Sequence, residues 1–111
     1  MVVDNPRRDS IDEVFHALAD ATRRSIVERT LRRDYSISEL ARLYPMSFAA
    51  VQKHVAVLER AELVSKRRRG REQCVRSNLV AIRRAEKLLA RYEQLWRGRV
   101  ERMSAILDED S

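Results

Sequence analysis

Pro45 limits what this chain can fold into more than any other residue. It stands between two short apolar patterns, each opened by a helix-capping residue, and leaves only Tyr44-Pro45-Met46 to turn the chain between them. Proline disfavours helical geometry at the residue before it, so the first of the two helices is expected to stop at Tyr44. That helix opens on Ser36-Ile37-Ser38-Glu39, a serine cap with glutamate three residues on, and carries Leu40, Ala41 and Leu43. The second is capped by Ser47 and runs from Phe48 to about Ala61, with Val51, Val55 and Leu58 spaced for one buried face. Two helices joined by so short a turn have the spacing of a helix-turn-helix.

The rest of the chain is organised around that pair. Residues 1–9 are polar, contain Pro6 and read as a loose arm, leaving 10–111 as one domain. Ser10-Ile11-Asp12-Glu13 repeats the capping pattern, and Ile11, Val14, Phe15 and Leu18 follow helical spacing to about Ala19. Asp20 can cap a further helix with Ile26, Val27, Thr30 and Leu31 on its apolar face, and Asp34-Tyr35 make the connection. After Leu63 the period changes. Residues 63–69 and 73–78 read as two short strands around Gly70, with Val64, Cys74 and Val75 as apolar members. From Leu79 to about Leu107 the pattern is helical again, in one piece or two. Its stripe (Leu79, Ile82, Ala85, Leu88, Leu89, Tyr92, Leu95, Trp96, Val100, Met103, Ile106, Leu107) exceeds what a small domain needs for its own core. It argues for a partner helix, the other reading being a long helix wrapped over the protomer.

Composition agrees with a helical domain: two Gly, two Pro and 5% aromatics are too few turn and strand formers for a β-sandwich. The formal net charge is +6, and its distribution is informative. Between Val51 and Arg76 lie eight Lys or Arg against three acids, so this stretch carries +5 of the +6. The charge therefore gathers on the second helix of the pair and on the hairpin after it, where a polyanion is the natural partner. On the residue types alone, Gln52 suits a bidentate contact to adenine, and Ala49 or Phe48 a thymine methyl, although Phe48 can equally pack inward. Lys53 and Arg60 suit phosphates, Arg68, Arg69 and Arg71 at the hairpin tip suit phosphate or minor groove, and Lys66 can be merely solvated. His54 reads as a DNA-backbone contact or a structural hydrogen-bond donor rather than a metal ligand, since no second ligand lies one helical turn away. One cysteine builds no disulfide framework, no apolar run exceeds four residues, and MVVDNPRRDS is no signal peptide. The expectation is a cytoplasmic chain without membrane contact. Cys74 reads as a small apolar strand residue rather than a redox sensor, because no resolving cysteine accompanies it. A glycine-rich phosphate loop, paired carboxylates and a nucleophile with its base are all missing, so no enzyme is expected.

These residues resemble a known family. Ala17-Leu18-Ala19-Asp20-Ala21-Thr22-Arg23, then Ile37-Ser38-Glu39-Leu40-Ala41, then Met46-Ser47 and Val51-Gln52-Lys53-His54-Val55 through Leu58-Glu59-Arg60-Ala61-Glu62-Leu63-Val64, are similar to the ArsR/SmtB winged-helix regulators. Tyr92-Glu93-Gln94-Leu95-Trp96 with Arg99-Val100 resembles the branch without a metal site. The resemblance covers about residues 11–107. It implies a mainly α fold with a small β-hairpin, a dimeric winged helix-turn-helix of five to six helices. It further implies a homodimer joined through the first and last helices, which would use Val14, Phe15, Leu89, Tyr92, Trp96, Val100, Met103 and Leu107. Ser47, Phe48, Ala49, Gln52, Lys53 and His54 inherit the contact to double-stranded DNA, with Arg68, Arg69 and Arg71 in the wing. The implied function is a transcriptional regulator, a repressor on a palindromic operator. Two departures concern the backbone: Ala21 stands where the family has Pro, and Glu62 where it has Gly. A third concerns function. The family's metal sensors use cysteine pairs or Asp and His ligands, whereas this chain offers only Cys74, His16 and His54 on three elements, so neither metal nor cofactor is expected. A small-molecule effector at the dimer interface is compatible with all of this, as is control by abundance alone. Two other classes compete: a non-specific nucleic-acid coat, and an interaction module whose last helix recruits a partner.

Overall fold

The computed structural model describes residues 6–109. Its elements run α1 (Pro6–Leu18), α2 (Ala21–Arg32), β1 (Tyr35–Ser36), α3 (Ile37–Leu43), α4 (Phe48–Arg60), β2 (Val64–Arg69), β3 (Glu72–Ser77) and α5 (Leu79–Glu109). This is a mainly α fold whose β2–β3 hairpin, joined by β1 in the order β1-β3-β2, forms the wing beside a helix-turn-helix.

Three expected caps are in place. Asp20 Oδ1 accepts from Arg23 N at 3.0 Å at the start of α2. Ser36 and Glu39 close a full capping box, each side chain accepting from the other's backbone N–H at 3.0 Å. Ser47 Oγ accepts from Ala50 N at 3.1 Å to open α4. The turn before it is held to α2 by Ser25 Oγ and Tyr44 Oη, 2.7 Å apart. Tyr44 is extended (ψ 140°), as the following Pro45 requires.

The end of α4 is set just as locally. Leu63 N donates to Leu58 O and Glu62 N to Glu59 O, both at 3.0 Å, with Glu62 left-handed at φ 61°. This pair of bonds is a Schellman motif, and its customary apolar contact is supplied by Leu58 and Leu63, both fully buried. Gly70, at φ 64°, starts the two-residue turn between Arg69 and Glu72, while Arg71 keeps a negative φ. Glycine first and an ordinary residue second is the pattern of a type II′ hairpin turn.

Several expectations need correction. α1 begins at Pro6, so Ser10 lies inside the helix instead of capping it; proline suits a first helical turn, where its missing N–H has no partner to lose. Residues 1–5 of the expected arm fall outside the described residues. The Asp34-Tyr35 connection contains a strand, β1, in register with β3 as Tyr35↔Val75 and Ser36↔Cys74. Leu31 is exposed. Val14, grouped with the dimer contacts, is wholly buried in the protomer's own core, and its neighbour Phe15 faces outward.

The core gathers Val14 and Ala17 of α1, Ile26 and Val27 of α2, Ile37 and Leu40 of α3, Val51, Val55 and Leu58 of α4, and Val64 and Val75 of the wing. From α5 only Ala81 and Ala85 are buried. The helix continues unbroken to Glu109 and leaves the globule, so it does not wrap the protomer. The radius of gyration, 19.5 Å, records this, since a compact domain of this length has about 13 Å.

Candidate nucleic-acid interface

α4 is held on one face by three residues and exposes the opposite one. Val51, Val55 and Leu58 are fully buried, one and two turns apart, which turns Phe48, Ala49, Gln52 and Lys53 to the surface. Phe48 is 48% exposed, which decides between its two readings: it does not pack into the core. Ser47 is exposed as well, but its Oγ is engaged as the cap.

Two other residues of the expected set sit differently. His54 is half-buried, and its Nδ1 lies 3.3 Å from Arg23 Nη1. Arginine only donates, so in this contact Nδ1 is the acceptor, not the donor that the sequence suggests. Arg60 is three turns along α4 from Phe48 and lines a shallow groove with Asp12, Glu13 and His16 of α1. Its charge there faces two carboxylates.

The wing separates its cations onto two faces. Antiparallel partners share a face, so Lys66 lies with Val75 and Arg68 with Gln73, whereas Arg67 lies with Cys74 and Arg69 with Glu72. On the first face Lys66 Nζ pairs with Glu59 of α4 at 3.3 Å, so it is not merely solvated. At the tip, Arg68 Nε donates to Gly70 O at 3.2 Å, and Arg69 and Arg71 are exposed. On the second face Arg67, Arg69 and Arg76 surround Cys74, Ser65 and Asp34 in a shallow basic hollow. Arg76 binds Asp34 with two nitrogens, Nε to Oδ1 at 3.2 Å and Nη2 to Oδ2 at 3.0 Å. That hydrogen bond, reinforced by the charges of Arg76, Arg69 and Arg67, holds the Asp34 carboxyl below its ordinary range. It also ties β3 to the segment that follows α2. Arg67 and Arg76, two of the eight cations counted in this stretch, belong to this surface although the residue types gave them no separate role. Their face follows from the register, which Gly70 sets.

A helix ridge of small, amide and cationic residues beside a cationic hairpin can meet a duplex at two places, a groove and the flanking phosphates. Comparison with known proteins agrees with this geometry. The ArsR-like transcriptional regulator of Rhodococcus sp. RHA1 is 31% identical, and the superposition covers 91% of this chain and 93% of that one with a TM-score of 0.81. The chain belongs to the ArsR family. A second solved ArsR-family regulator is 28% identical, with a TM-score of 0.77 over 86% of this chain and 97% of its own. The HTH-type transcriptional regulator Rv2034 of Mycobacterium tuberculosis is 48% identical over 61 residues, 55% of this chain. The match spans 57% of the length of that curated relative. No protein-family model matches the chain.

Within this ArsR-family fold, His16, His54 and Cys74 lie on α1, α4 and β3, and among the described residues no group of three or more His, Cys, Asp or Glu side chains is placed to hold a metal ion. No helix among the described residues is long and apolar enough to cross a membrane. The exposed apolar residues concentrate on α5, where Leu89, Tyr92, Leu95, Trp96, Val100, Met103, Ile106 and Leu107 are each 46–68% exposed. Phe15 of α1 is 37% exposed, whereas Val14 is buried.

Proposed function

We propose that the chain is a sequence-specific transcriptional regulator, acting in the bacterial cytoplasm as a homodimer that represses by occluding a promoter. The observation that carries this reading is the outward ridge of α4 standing beside the cationic hairpin, the two elements on which nearly all the net charge gathers. Phe48, Ala49, Gln52 and Lys53 enter the major groove. Gln52 reads a base edge, Phe48 or Ala49 meets a thymine methyl, and Lys53 binds phosphate. The wing tip, Arg68, Arg69 and Arg71, follows the backbone, while Arg60 serves only as a peripheral charge. Two copies join through Phe15 and the α5 stripe of Leu89, Tyr92, Trp96, Val100, Met103 and Leu107. Burial of that stripe supplies the apolar contact that the extended protomer lacks. The two-fold axis so generated calls for an imperfect palindrome with half-sites about 10 bp apart, or a multiple of it.

Selection of duplexes from a random library at physiological salt tests the proposal. A two-fold-symmetric motif is the expected recovery. Binding without a motif, lost steeply as salt rises, would identify a non-specific nucleic-acid coat instead.

A further inference from the structure

The packing that holds α4 in place is apolar where it is strongest. Val51, Val55 and Leu58 hold one face of the helix in the core and so fix its rotation coarsely, but apolar contact is non-directional and leaves the last few degrees about the helix axis less sharply defined. Rotation is what decides where Gln52 and Lys53 point, because neighbouring helix positions differ by about 100°. A directional tie near those residues is therefore consequential. One such tie, Glu59 to Lys66, joins α4 to β2 nearly two turns beyond Gln52 and on a partly exposed pair. The other lies at the reading end. Arg23 extends its guanidinium in three directions: Nε donates to Ala17 O at 2.8 Å, Nη2 to His16 O at 3.1 Å, and Nη1 to His54 Nδ1 at 3.3 Å. The first two bonds fall on carbonyls of the last turn of α1, His16 O also accepting from Ala19 N at 3.2 Å. The backbone N–H of Arg23 is itself held by Asp20 at 3.0 Å. The guanidinium is thus fixed from behind by α1 and α2 before it meets α4.

We infer that Arg23 is a positioning residue for DNA reading: acting through His54 Nδ1, it sets the rotation of α4 and so the direction of Gln52 and Lys53. The inference rests on the DNA-binding reading above. It gives His54 an inward task, distinct from contact with the duplex.

The test separates the two ring nitrogens. In His54→Asn the amide oxygen stands where Nδ1 stood and can still accept from Arg23. In His54→Gln the polar group reaches instead to the position of Nε2, which faces away from Arg23. His54→Leu keeps bulk alone. Each full-length variant, checked for folding by circular dichroism, is titrated against the duplex selected by the wild-type chain and against a random-sequence duplex of the same length. The Asn variant is expected to hold its affinity for the selected duplex within about threefold, and the Gln and Leu variants to lose about tenfold. Affinity for the random duplex should fall less than affinity for the selected one, because of the two side chains re-aimed only Lys53 contacts phosphate. An Arg23→Gln, His54→Leu pair should lose no more than the larger single loss. Retention by Gln with loss by Asn would mean that His54 touches DNA through Nε2 and would overturn the inference, as would three variants all equal to wild type. A wild-type chain with no preference between the two duplexes would instead sink the DNA reading itself.

Discussion

Glu62 holds a left-handed backbone that glycine adopts without a steric penalty, at a point where the chain must turn from α4 into the wing. Its side chain returns little, since the pair it makes with Arg84 at 3.6 Å is exposed on both sides. Glu62→Gly should therefore raise stability by roughly 1 kcal/mol, the left-handed penalty of a side-chain-bearing residue less the extra freedom of an unfolded glycine. Urea denaturation of the two chains measures it, and a variant equal to or weaker than wild type would show that the Schellman bonds hold Glu62 without strain. Single residues were only half legible in sequence. The position of Glu62 at a helix end was visible. The inward face of Val14 against the outward face of its neighbour Phe15 was not, because both satisfy one helical pattern. Nor was the His54–Arg23 contact, which spans 31 residues and has no local signature.

At the scale of elements, what the sequence declared most clearly were the helix starts. Asp20, Ser36 and Ser47 each satisfy a backbone N–H three residues on, and an interaction so local needs nothing from the rest of the chain. β1 was invisible for the opposite reason. Two residues show no periodicity, and Tyr35-Ser36 is a strand only because β3 lies beside it. The start of α1 is obscured in sequence by a capping pattern at Ser10, one turn inside the helix. The same local bonds make the elements sensitive to acid. Asp20, Asp34 and Glu39 are all held below their ordinary values of 3.8, 3.8 and 4.5. The leading causes are the Arg23 backbone N–H, the Arg76 side chain and the Ser36 backbone N–H respectively. Depressed carboxylates stabilise the fold above their unfolded values, and that contribution is lost as the pH falls through the folded ones. Thermal melts should accordingly be flat from neutrality to about pH 5 and decline below pH 4. Asp34→Asn and Asp20→Asn should each shallow the decline, and a slope unchanged in both would rule these two carboxylates out as its source.

For the whole molecule the decisive measurement is mass in solution. A helix of 31 residues is about 46 Å long, and the apolar residues of its last twenty positions have no cover within the protomer. Exposed apolar surface on this scale is uncommon in a monomer. Sedimentation equilibrium should return twice the chain mass at micromolar concentration. Trp96→Glu, which places a charge in the middle of the stripe, should return the single mass with the helix-turn-helix and wing intact by circular dichroism. A wild-type chain that sediments as a monomer would refute the pairing. The stripe could be counted in the sequence; whether it covered the protomer's own core could not, because that depends on where α5 points after Ala85.

The residues that face outward on α4 and the α5 stripe lie on separate elements, and the stripe lies beyond Ala85, the last buried residue of its helix. Changes along Phe48, Ala49, Gln52 and Lys53 therefore leave the stripe as it was, so a duplicated gene could drift toward a new target while its product still recognised the parent's. On the proposed pairing, such paralogues would mix, and one cell would hold three assemblies from two genes, the mixed one suited to an asymmetric site that neither parent reads well.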